Sequence, residues 1–472
     1  MTRLIAALSR PVSIQSLVAV RVLFGAILLW DWWRYVVQNR IFRYYVEPEL
    51  WFPYFGLDWL TPLPEPYIYW VWHLVGLSAF LVMIGAFYRV AIWVFIAAFG
   101  YFFLLDRAQY LNHNYLVLLY AALLAVSPAH LAFSVDAWLW PAWRRRVIAA
   151  WSVVAIKAQT EVVLVFAGLV KITDDWLRGE PLGIWLRGQA GDWPFGWLFQ
   201  YDAVILAGAW ATVALHLIGA PLLLWHRTRL AVFLVYCCFH MANAQFFNIG
   251  IFPWLTIAVT TIFFVPDWPQ RALRWALRWF EPLPPMPAPV AAGAGVAPLG
   301  RAVLVFLALW FAVQVYLPVR QAFFPTLVGW SGDGHRFSWR MRIYDRDADG
   351  TFRVLGGDGS VTVVDPYDWL TRRQATAMLS RADMIHDFAA MLEAAWREAG
   401  HGDVAVHADI TMSLNGRPHV PFIDPTVDLT AVSYNWLGTD DWVLPPAHRV
   451  AEGRLPDWLP PLPLQKPPFA GG

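Results

Sequence analysis

Long apolar segments separated by short polar connections fill the first two thirds of the chain. About nine of them are long enough, or nearly long enough, to cross a bilayer, although several are shorter than the ~20 residues of an ordinary span. They lie near Ile14–Val37, Tyr67–Phe87, Val90–Leu105, Tyr115–Leu131, Val147–Val170, Ala203–Trp225, Leu230–Phe246, Ile251–Val265 and Arg301–Leu317. The pattern predicts a polytopic α-helical membrane domain over residues 1–317. A linker rich in Pro, Ala and Gly at residues 281–298 precedes the last span.

After Leu317 the pattern changes to short stretches in which apolar and polar residues alternate, as is typical of strands. The alternating stretches are His335–Asp345, Thr351–Leu355, Ser360–Val364 and Val404–Leu414. The segment Ser380–Gly400 has a helical pattern that ends at a glycine. Residues 318–454 are therefore predicted to form a mixed α/β, mainly β, domain outside the membrane, and residues 455–472 a proline-rich tail.

The arginines of the loops predict the orientation in the membrane. They fall in alternate connections, which by the positive-inside rule lie in the cytoplasm: Arg3, Arg10, Arg89, Arg144–Arg146, Arg227, Arg229, Arg271, Arg274 and Arg278. The other connections carry acidic residues, namely Glu47, Glu49, Asp58, Asp174, Asp175 and Asp192. We expect a cytoplasmic N-terminus and, because the number of spans is odd, an extracytoplasmic C-terminal domain.

The composition agrees with a membrane protein and excludes several other classes. Hydrophobic residues make up 58% of the chain and charged residues only 15%, against about 25% charged residues in soluble proteins. A net charge of +1 gives no indication of nucleic-acid binding. Cys237 and Cys238 are adjacent in an apolar segment, so a structural disulfide framework is not expected. The sequence contains no HExxH or paired CxxC, and we expect no metal site.

Polar residues interrupt the apolar segments at the predicted outer face. Lys171 ends the fifth span, where burial lowers the pKa of a lysine and makes its amine a usable base. The alternative is a lysine that only snorkels to the interface. The fourth and seventh spans bring further polar residues to the same face, which predicts a shared cavity: Asn112, His113, His240, Asn243 and Gln245. A lone histidine in such a helix is usually a packing residue, and Asn243, one turn away, makes His240 a better candidate for a site.

The fifth span also carries Lys157 and Glu161, four positions apart. Charges at this depth are expected to face the bundle interior and to form an intramembrane ion pair there. A structural role that locks two helices together is as good an explanation of this pair as any chemical role.

Six separated segments occur in the order that is found in one protein family. They are Phe103–Leu116, Ser134–Asp136, Ala167–Trp176, Phe239–Phe252, Phe337–Met341 and Phe422–Asp428. On these motifs the chain resembles the vitamin K-dependent γ-glutamyl carboxylases, within the group of horizontally transferred transmembrane domain (HTTM) proteins. The resemblance extends from about Leu8 to about Trp442, and the chain is similar to a short bacterial-type member.

The resemblance implies an activity and roles for particular residues. Lys171 is expected to activate a vitamin K or menaquinone hydroquinone, His113 to assist proton removal from glutamate, and the segment containing His240 to line the same pocket. The implied reaction couples hydroquinone epoxidation by O2 to carboxylation of glutamate with CO2. The implied partners are a lipid quinol, a glutamate-containing peptide and membrane lipids. An amine can deprotonate a phenol-like hydroxyl of pKa ~10 but not a carbon next to a carboxylate, so the cofactor must supply the stronger base.

Some residues depart from the pattern of the animal carboxylases. Those enzymes have a second lysine where this chain has Val170, use a disulfide for which this chain lacks suitable cysteines, and extend further at the C-terminus. The competing hypothesis is a non-catalytic HTTM membrane protein that acts as a binding, immunity or transport component. A transporter would more often show two related halves with broken helices, and the sequence shows no internal repeat. An interior amine that faces polar groups favours the enzyme.

Overall fold

The computed structural model describes residues 2–278, 296, 299–324, 326–436, 438 and 440–446. Apart from residue 296, the predicted linker 281–298 lies outside the described residues, and so does the predicted tail 455–472.

The first part of the chain is almost entirely helical, because its apolar segments satisfy their backbone groups internally. Its helices are α1 (Thr2–Ser9), α2 (Gln15–Val37), α3 (Tyr67–Ile84), α4 (Tyr88–Leu105), α5 (Asn112–Val126), α6 (Val135–Leu139), α7 (Trp151–Leu169), α8 (Asp174–Leu177), α9 (Leu182–Gly188), α10 (Asp202–Ala214), α11 (Ala220–Leu224), α12 (Arg229–Phe246), α13 (Phe252–Thr260), α14 (Trp268–Leu277), α15 (Arg301–Val319) and α16 (Val328–Ser331). A π-helical turn, Leu215–Gly219, joins α10 to α11.

Six helical segments within the described residues are long and apolar enough to cross a membrane. They are Gln15–Val37, Tyr67–Ile84, Tyr88–Leu105, Trp151–Leu169, Asp202–Leu224 and Arg301–Phe323. The predicted count of about nine is not confirmed. Of the other predicted spans, the fourth forms only the shorter α5, and the eighth forms α13 followed by a 3₁₀ turn. The seventh, α12, carries several polar residues in its second half, which makes it less apolar than the six.

Two antiparallel sheets accompany the helices. The small one pairs β1 (Pro11–Ser13) with β2 (Val147–Ala149) and ties the N-terminal segment to the start of α7. The larger one has the strand order β4-β3-β5-β6 and is formed by β3 (Arg346–Gly356), β4 (Val361–Val364), β5 (Val404–Leu414) and β6 (Val420–Pro421). Three of the predicted strands are found in this sheet.

The C-terminal unit is an α/β layer structure. The helices α17 (Pro366–Trp369), α18 (Arg372–Leu379) and α19 (Ala382–Glu398) follow β4, and α19 corresponds to the helix predicted at Ser380–Gly400. The apolar face of α19 packs on the sheet, where the ring of Phe388 meets that of Phe352 at 5.0 Å between centroids. Thr371 begins α18 with a capping box to Gln374, which satisfies backbone N–H groups that have no partner within the helix.

The predicted strand at His335–Asp345 is wrong, because this segment is irregular. Phe337, Trp339 and Arg342 have positive φ angles of 63°, 57° and 47°, a conformation that non-glycine residues adopt rarely and that interrupts a strand. The apolar side chains instead enter the membrane domain. The Phe337 ring lies 4.9 Å from that of Tyr115, and Trp339 is fully buried. The alternating pattern therefore reflects insertion between two domains and not a sheet with two faces.

Buried polar contacts join the C-terminal unit to the membrane domain. Arg107, just after α4, forms an ion pair of 2.8 Å with Asp383 of α19 and a second with Asp387. Asp383 also pairs with Arg336 at 2.6 Å. Burial alone would raise the pKa of Asp383, but these guanidinium groups hold it below its ordinary value. The attraction between these opposite charges thus offsets part of the desolvation cost of burying them.

Candidate functional site

A cavity of about 400 Å³ lies where the C-terminal unit meets the membrane domain. Residues from α2, α5, α7, α12 and the segment around Met341 line it, so it belongs to neither part alone. The lining includes five of the residues that the sequence singles out: Lys171, Asn112, His113, His240 and Asn243. These residues come from three separate helices or helix ends, and only the fold brings them together.

Lys171 lies two residues beyond the last residue of α7 and is 5% exposed. Its ammonium donates to the backbone carbonyls of Ala167 and Met341, both at 3.2 Å, and lies 5.0 Å from the centre of the Trp176 ring. None of the ion pairs among the described residues involves Lys171. Burial, together with the like charge of Arg340, lowers its pKa to about 8. The neutral amine therefore forms at a lower pH than it does in an exposed lysine.

The loop after Lys171 is clamped by the C-terminal unit. Asp175 accepts hydrogen bonds from Arg417 at 2.8 Å and from Asn415 at 2.7 Å, and the second guanidinium nitrogen of Arg417 completes a bidentate pair. Such pairs fix orientation as well as adding energy. Thr173 caps the short helix α8 through the backbone N–H of Trp176. The position of Lys171 is thus fixed by α7 on one side and by the C-terminal unit on the other.

Asn112 and His113 begin α5 at the cavity wall. The Asn112 side chain accepts from the Tyr110 hydroxyl at 3.0 Å and donates to the carbonyl of Arg340 at 3.2 Å, which ties α5 to the inserted segment. Gly250 lies against His113: a Cβ at this glycine would be 3.3 Å from Nε2. Because Gly250 has φ +62°, both the backbone and the space at this position favour glycine.

His240 lies on the cavity face of α12 and is 1% exposed. Both of its ring nitrogens lack a hydrogen-bond partner, which is unusual for a buried polar group. Tyr236, one turn earlier, stacks on the imidazole at 6.0 Å, and Asn243 follows on the same face. Gln245, predicted as a pocket residue, is exposed and does not line the cavity. Gln245 follows Asn243 by two residues, which corresponds to a rotation of about 200° around α12. Gln245 therefore lies on the side of the helix opposite to Asn243.

His216 also lines the cavity, from the π-helical turn in the middle of the sixth predicted span, Ala203–Trp225. Its Nδ1 lies 2.7 Å from the carbonyl oxygen of Thr212. Gly168 of α7 packs on this turn, since a Cβ there would come within 2.8 Å of the Cβ of His216. A π-turn inside a helix is frequent at functional sites. No sequence motif marks His216, because it lies in an otherwise apolar segment.

The polar lining is strongly cationic. The cavity is bordered by four arginines, Arg40, Arg340, Arg342 and Arg373. No ion pair among the described residues involves any of the four; they are held by rings and amides, as when Arg342 lies 5.2 Å from the Phe247 ring. Burial lowers the pKa of Arg340 and of Arg342. The acidic residue in the lining, Asp31, is already paired with Arg34 at 3.1 Å.

The four arginines and Asp31 are further residues of the cavity lining that were not predicted from the sequence. Arg340 lies within one of the six family motifs, Phe337–Met341. A charged residue within this motif could have indicated a site. Arg373 offers no local signal, because it belongs to an ordinary amphipathic helix that reaches the cavity only through domain packing.

The predicted intramembrane ion pair between Lys157 and Glu161 is not formed. No salt bridge joins them in the described structure, and one carboxylate oxygen of Glu161 is buried without a partner. Neither residue lines the cavity around Lys171. The Lys157 ammonium instead lies 5.9 Å from the centre of the Phe263 ring.

Comparison with known protein families agrees with this architecture. The HTTM domain family matches residues 9–268, and the family described as "Vitamin K-dependent gamma-carboxylase, lumenal domain" matches residues 299–449. The chain therefore belongs to the HTTM and vitamin K-dependent gamma-carboxylase family. No solved structure matches it. Residues from both matched regions line the cavity.

Proposed function

We propose that this protein is a membrane enzyme that couples oxidation of a lipid hydroquinone by O2 to the carboxylation of a glutamate side chain with CO2. The observation that carries the proposal is the environment of Lys171. A buried amine with a pKa of about 8, bonded to carbonyls and to no carboxylate, is suited to accept a proton from a phenol-like hydroxyl. A lysine that only snorkels to the interface would be exposed at its tip.

The lining of the cavity fits a quinol ring. The rings of Trp176, Trp185 and Phe252 border the cavity and supply flat apolar surface for an aromatic molecule. The unpartnered nitrogens of His240 and the side chain of Asn243 offer hydrogen-bonding groups for its hydroxyls. When bound, a vitamin K or menaquinone hydroquinone supplies, with O2, the strong base that no side chain provides. Lys171 takes the first proton, and the buried surroundings exclude water.

The four arginines support an anionic acceptor. A glutamate side chain brings a carboxylate into the cavity, and a guanidinium is the side chain best matched to that group. His113 borders the same cavity and is a candidate to assist proton removal from the acceptor. A non-catalytic binding protein of the same family has no need for an amine with a lowered pKa beside the arginines.

The test uses the full-length protein in reconstituted membranes with a glutamate-containing peptide and a vitamin K or menaquinone hydroquinone. Mass spectrometry should detect glutamates heavier by one CO2, together with formation of the quinone epoxide. Lys171→Arg keeps the positive charge but removes a group that acts as a base near neutral pH, so it should show neither product. Binding of the quinol without either product in the unmutated protein would favour the non-catalytic alternative.

A further inference from the structure

A second cavity, of about 200 Å³, lies at the other end of α7. Lys157 borders it, roughly 20 Å along the helix from Lys171 at ~1.5 Å per residue. Its walls come from β1, the start of α7, the start of α12 and the segment after α13. The loops at this end carry the arginines that predict the cytoplasmic side of the membrane. The cavity is therefore separate from the site around Lys171.

Three cations meet at this cavity: Arg10, Lys157 and Arg229. Its lining, which consists of described residues, contains no carboxylate. Lys157 has neither an ion pair nor a hydrogen bond within the described part of the chain, and the charges of Arg229 and Arg10 both act unfavourably on its ammonium. Positive charges at membrane depth normally pair with a partner. Here the partner is not supplied by the residues that line the cavity.

The walls are fixed by backbone hydrogen bonds. Ala150 donates to the carbonyl of Arg10 at 3.0 Å, and Ser16 donates to the carbonyl of Pro266 at 2.9 Å. Arg229 is oriented by its own bonds to the carbonyls of Leu223 and Leu224, at 2.8 and 2.9 Å. The three cations therefore line a cavity whose walls are held by hydrogen bonds.

We propose that this cavity binds a phosphate group. Its oxygens accept several hydrogen bonds from ammonium and guanidinium groups at once, and basic pockets between membrane helices on the cytoplasmic side suit anionic headgroups. The group can come from an anionic phospholipid such as phosphatidylglycerol or from soluble phosphate. The ligand neutralises the charge that Lys157 brings into the bundle. This site does not depend on the reaction proposed for the Lys171 cavity.

The experiment measures binding to the purified full-length protein in detergent. Phosphatidylglycerol and phosphatidylcholine are titrated by native mass spectrometry, and inorganic phosphate by equilibrium binding of a radiolabel. Lys157→Met keeps the length of the side chain without its charge. Arg10→Gln is a second variant whose residue is exposed, so it should fold even if Lys157→Met does not. Arg227→Gln is the matched control, because Arg227 is an exposed arginine near Arg229 that does not line the cavity.

We expect each cavity variant to raise the Kd by about fivefold or more, while Arg227→Gln leaves it unchanged. If this pattern is seen for phosphatidylglycerol and not for phosphatidylcholine, the source is a lipid headgroup. If it is seen only for inorganic phosphate, the site takes a soluble anion. The proposal is overturned if neither ligand binds, or if the cavity variants bind both ligands as the Arg227→Gln control does.

Discussion

The ammonium of Lys171 donates a hydrogen bond of 3.2 Å to the backbone carbonyl of Met341, a residue of the segment that the C-terminal part inserts into the membrane domain. The bond joins the end of a membrane helix to a segment 170 positions later in the chain. The candidate base is therefore positioned by both parts of the protein.

Lys171→Ala should abolish epoxide formation and peptide carboxylation while the protein remains folded in detergent. The alanine removes the proposed proton acceptor and its bonds to two carbonyls, but it leaves no buried charge without its counter-charge, because Lys171 forms no ion pair among the described residues. Product analysis by mass spectrometry and the elution profile in size-exclusion chromatography test the two halves of the expectation. Epoxide formation at the unmutated rate would assign the base to another residue.

The rate of epoxide formation should rise with pH and level off above about pH 8. Lys171 accepts a proton only when it is neutral, and its pKa is lowered to about 8, so the active fraction increases roughly tenfold per pH unit below that value. Initial rates of epoxide formation at saturating quinol between about pH 6 and pH 9.5 test this. A flat profile across pH 8 would show that titration of Lys171 does not limit the reaction.

Arg417→Gln should lower kcat by roughly tenfold or more with a smaller effect on the KM for quinol, because loss of the Asp175 clamp lets the Lys171 loop move. Arg417→Lys should restore part of the rate, since an ammonium still pairs with Asp175. Arg397→Gln is the control, as the pairs that Arg397 forms with Glu393 and Asp403 lie at the surface. Equal kcat values for Arg417→Gln and this control would rule out a positioning role.

Gly250→Ala should reduce activity more than its cost in stability explains. The alanine methyl comes within 3.3 Å of His113 Nε2, and the positive φ adds strain of about 1 kcal/mol. Gly56→Ala is a matched control, because Gly56 has a similar φ of +75° and nothing near the position of the added methyl. Thermal midpoints and rates are measured for both variants. The interpretation fails if the two lose activity in proportion to stability alone.

Asp383→Asn should destabilise the contact between the two parts by about 3–5 kcal/mol, because Arg107 and Arg336 lose their buried counter-charge. Glu393→Gln makes the same chemical change on the same helix but at a surface pair, and should cost about 0–1 kcal/mol. The depressed pKa of Asp383 implies a stabilisation that is present above pH ~4 and is lost as the pH falls further. Unfolding midpoints of both variants between about pH 3 and pH 7 test the size and the sign.

Local patterns determined much of the secondary structure. The strand Val404–Leu414 and the helix over Ala382–Glu398 could be predicted because a sheet with one buried face and an amphipathic helix each leave a fixed period in the sequence. The same reasoning placed Lys171, His113 and His240 at helix ends or on helix faces. Gln245 is close to Asn243 in sequence but lies on the other side of the helix, because two residues correspond to a rotation of about 200°.

Only the tertiary structure decided what surrounds those residues. The segment His335–Asp345 alternates like a strand, yet its period comes from rings that insert into another domain, a partner that no local pattern specifies. Lys157 and Glu161 have the spacing of an ion pair, but none forms in the described structure, where the Lys157 ammonium lies over the Phe263 ring. Arg373 reaches the cavity because its helix docks near Arg107, which depends on contacts hundreds of positions apart. The sequence by itself determined the local periods and the positions of the polar residues within apolar segments, and the long-range packing decided which of these residues share a cavity.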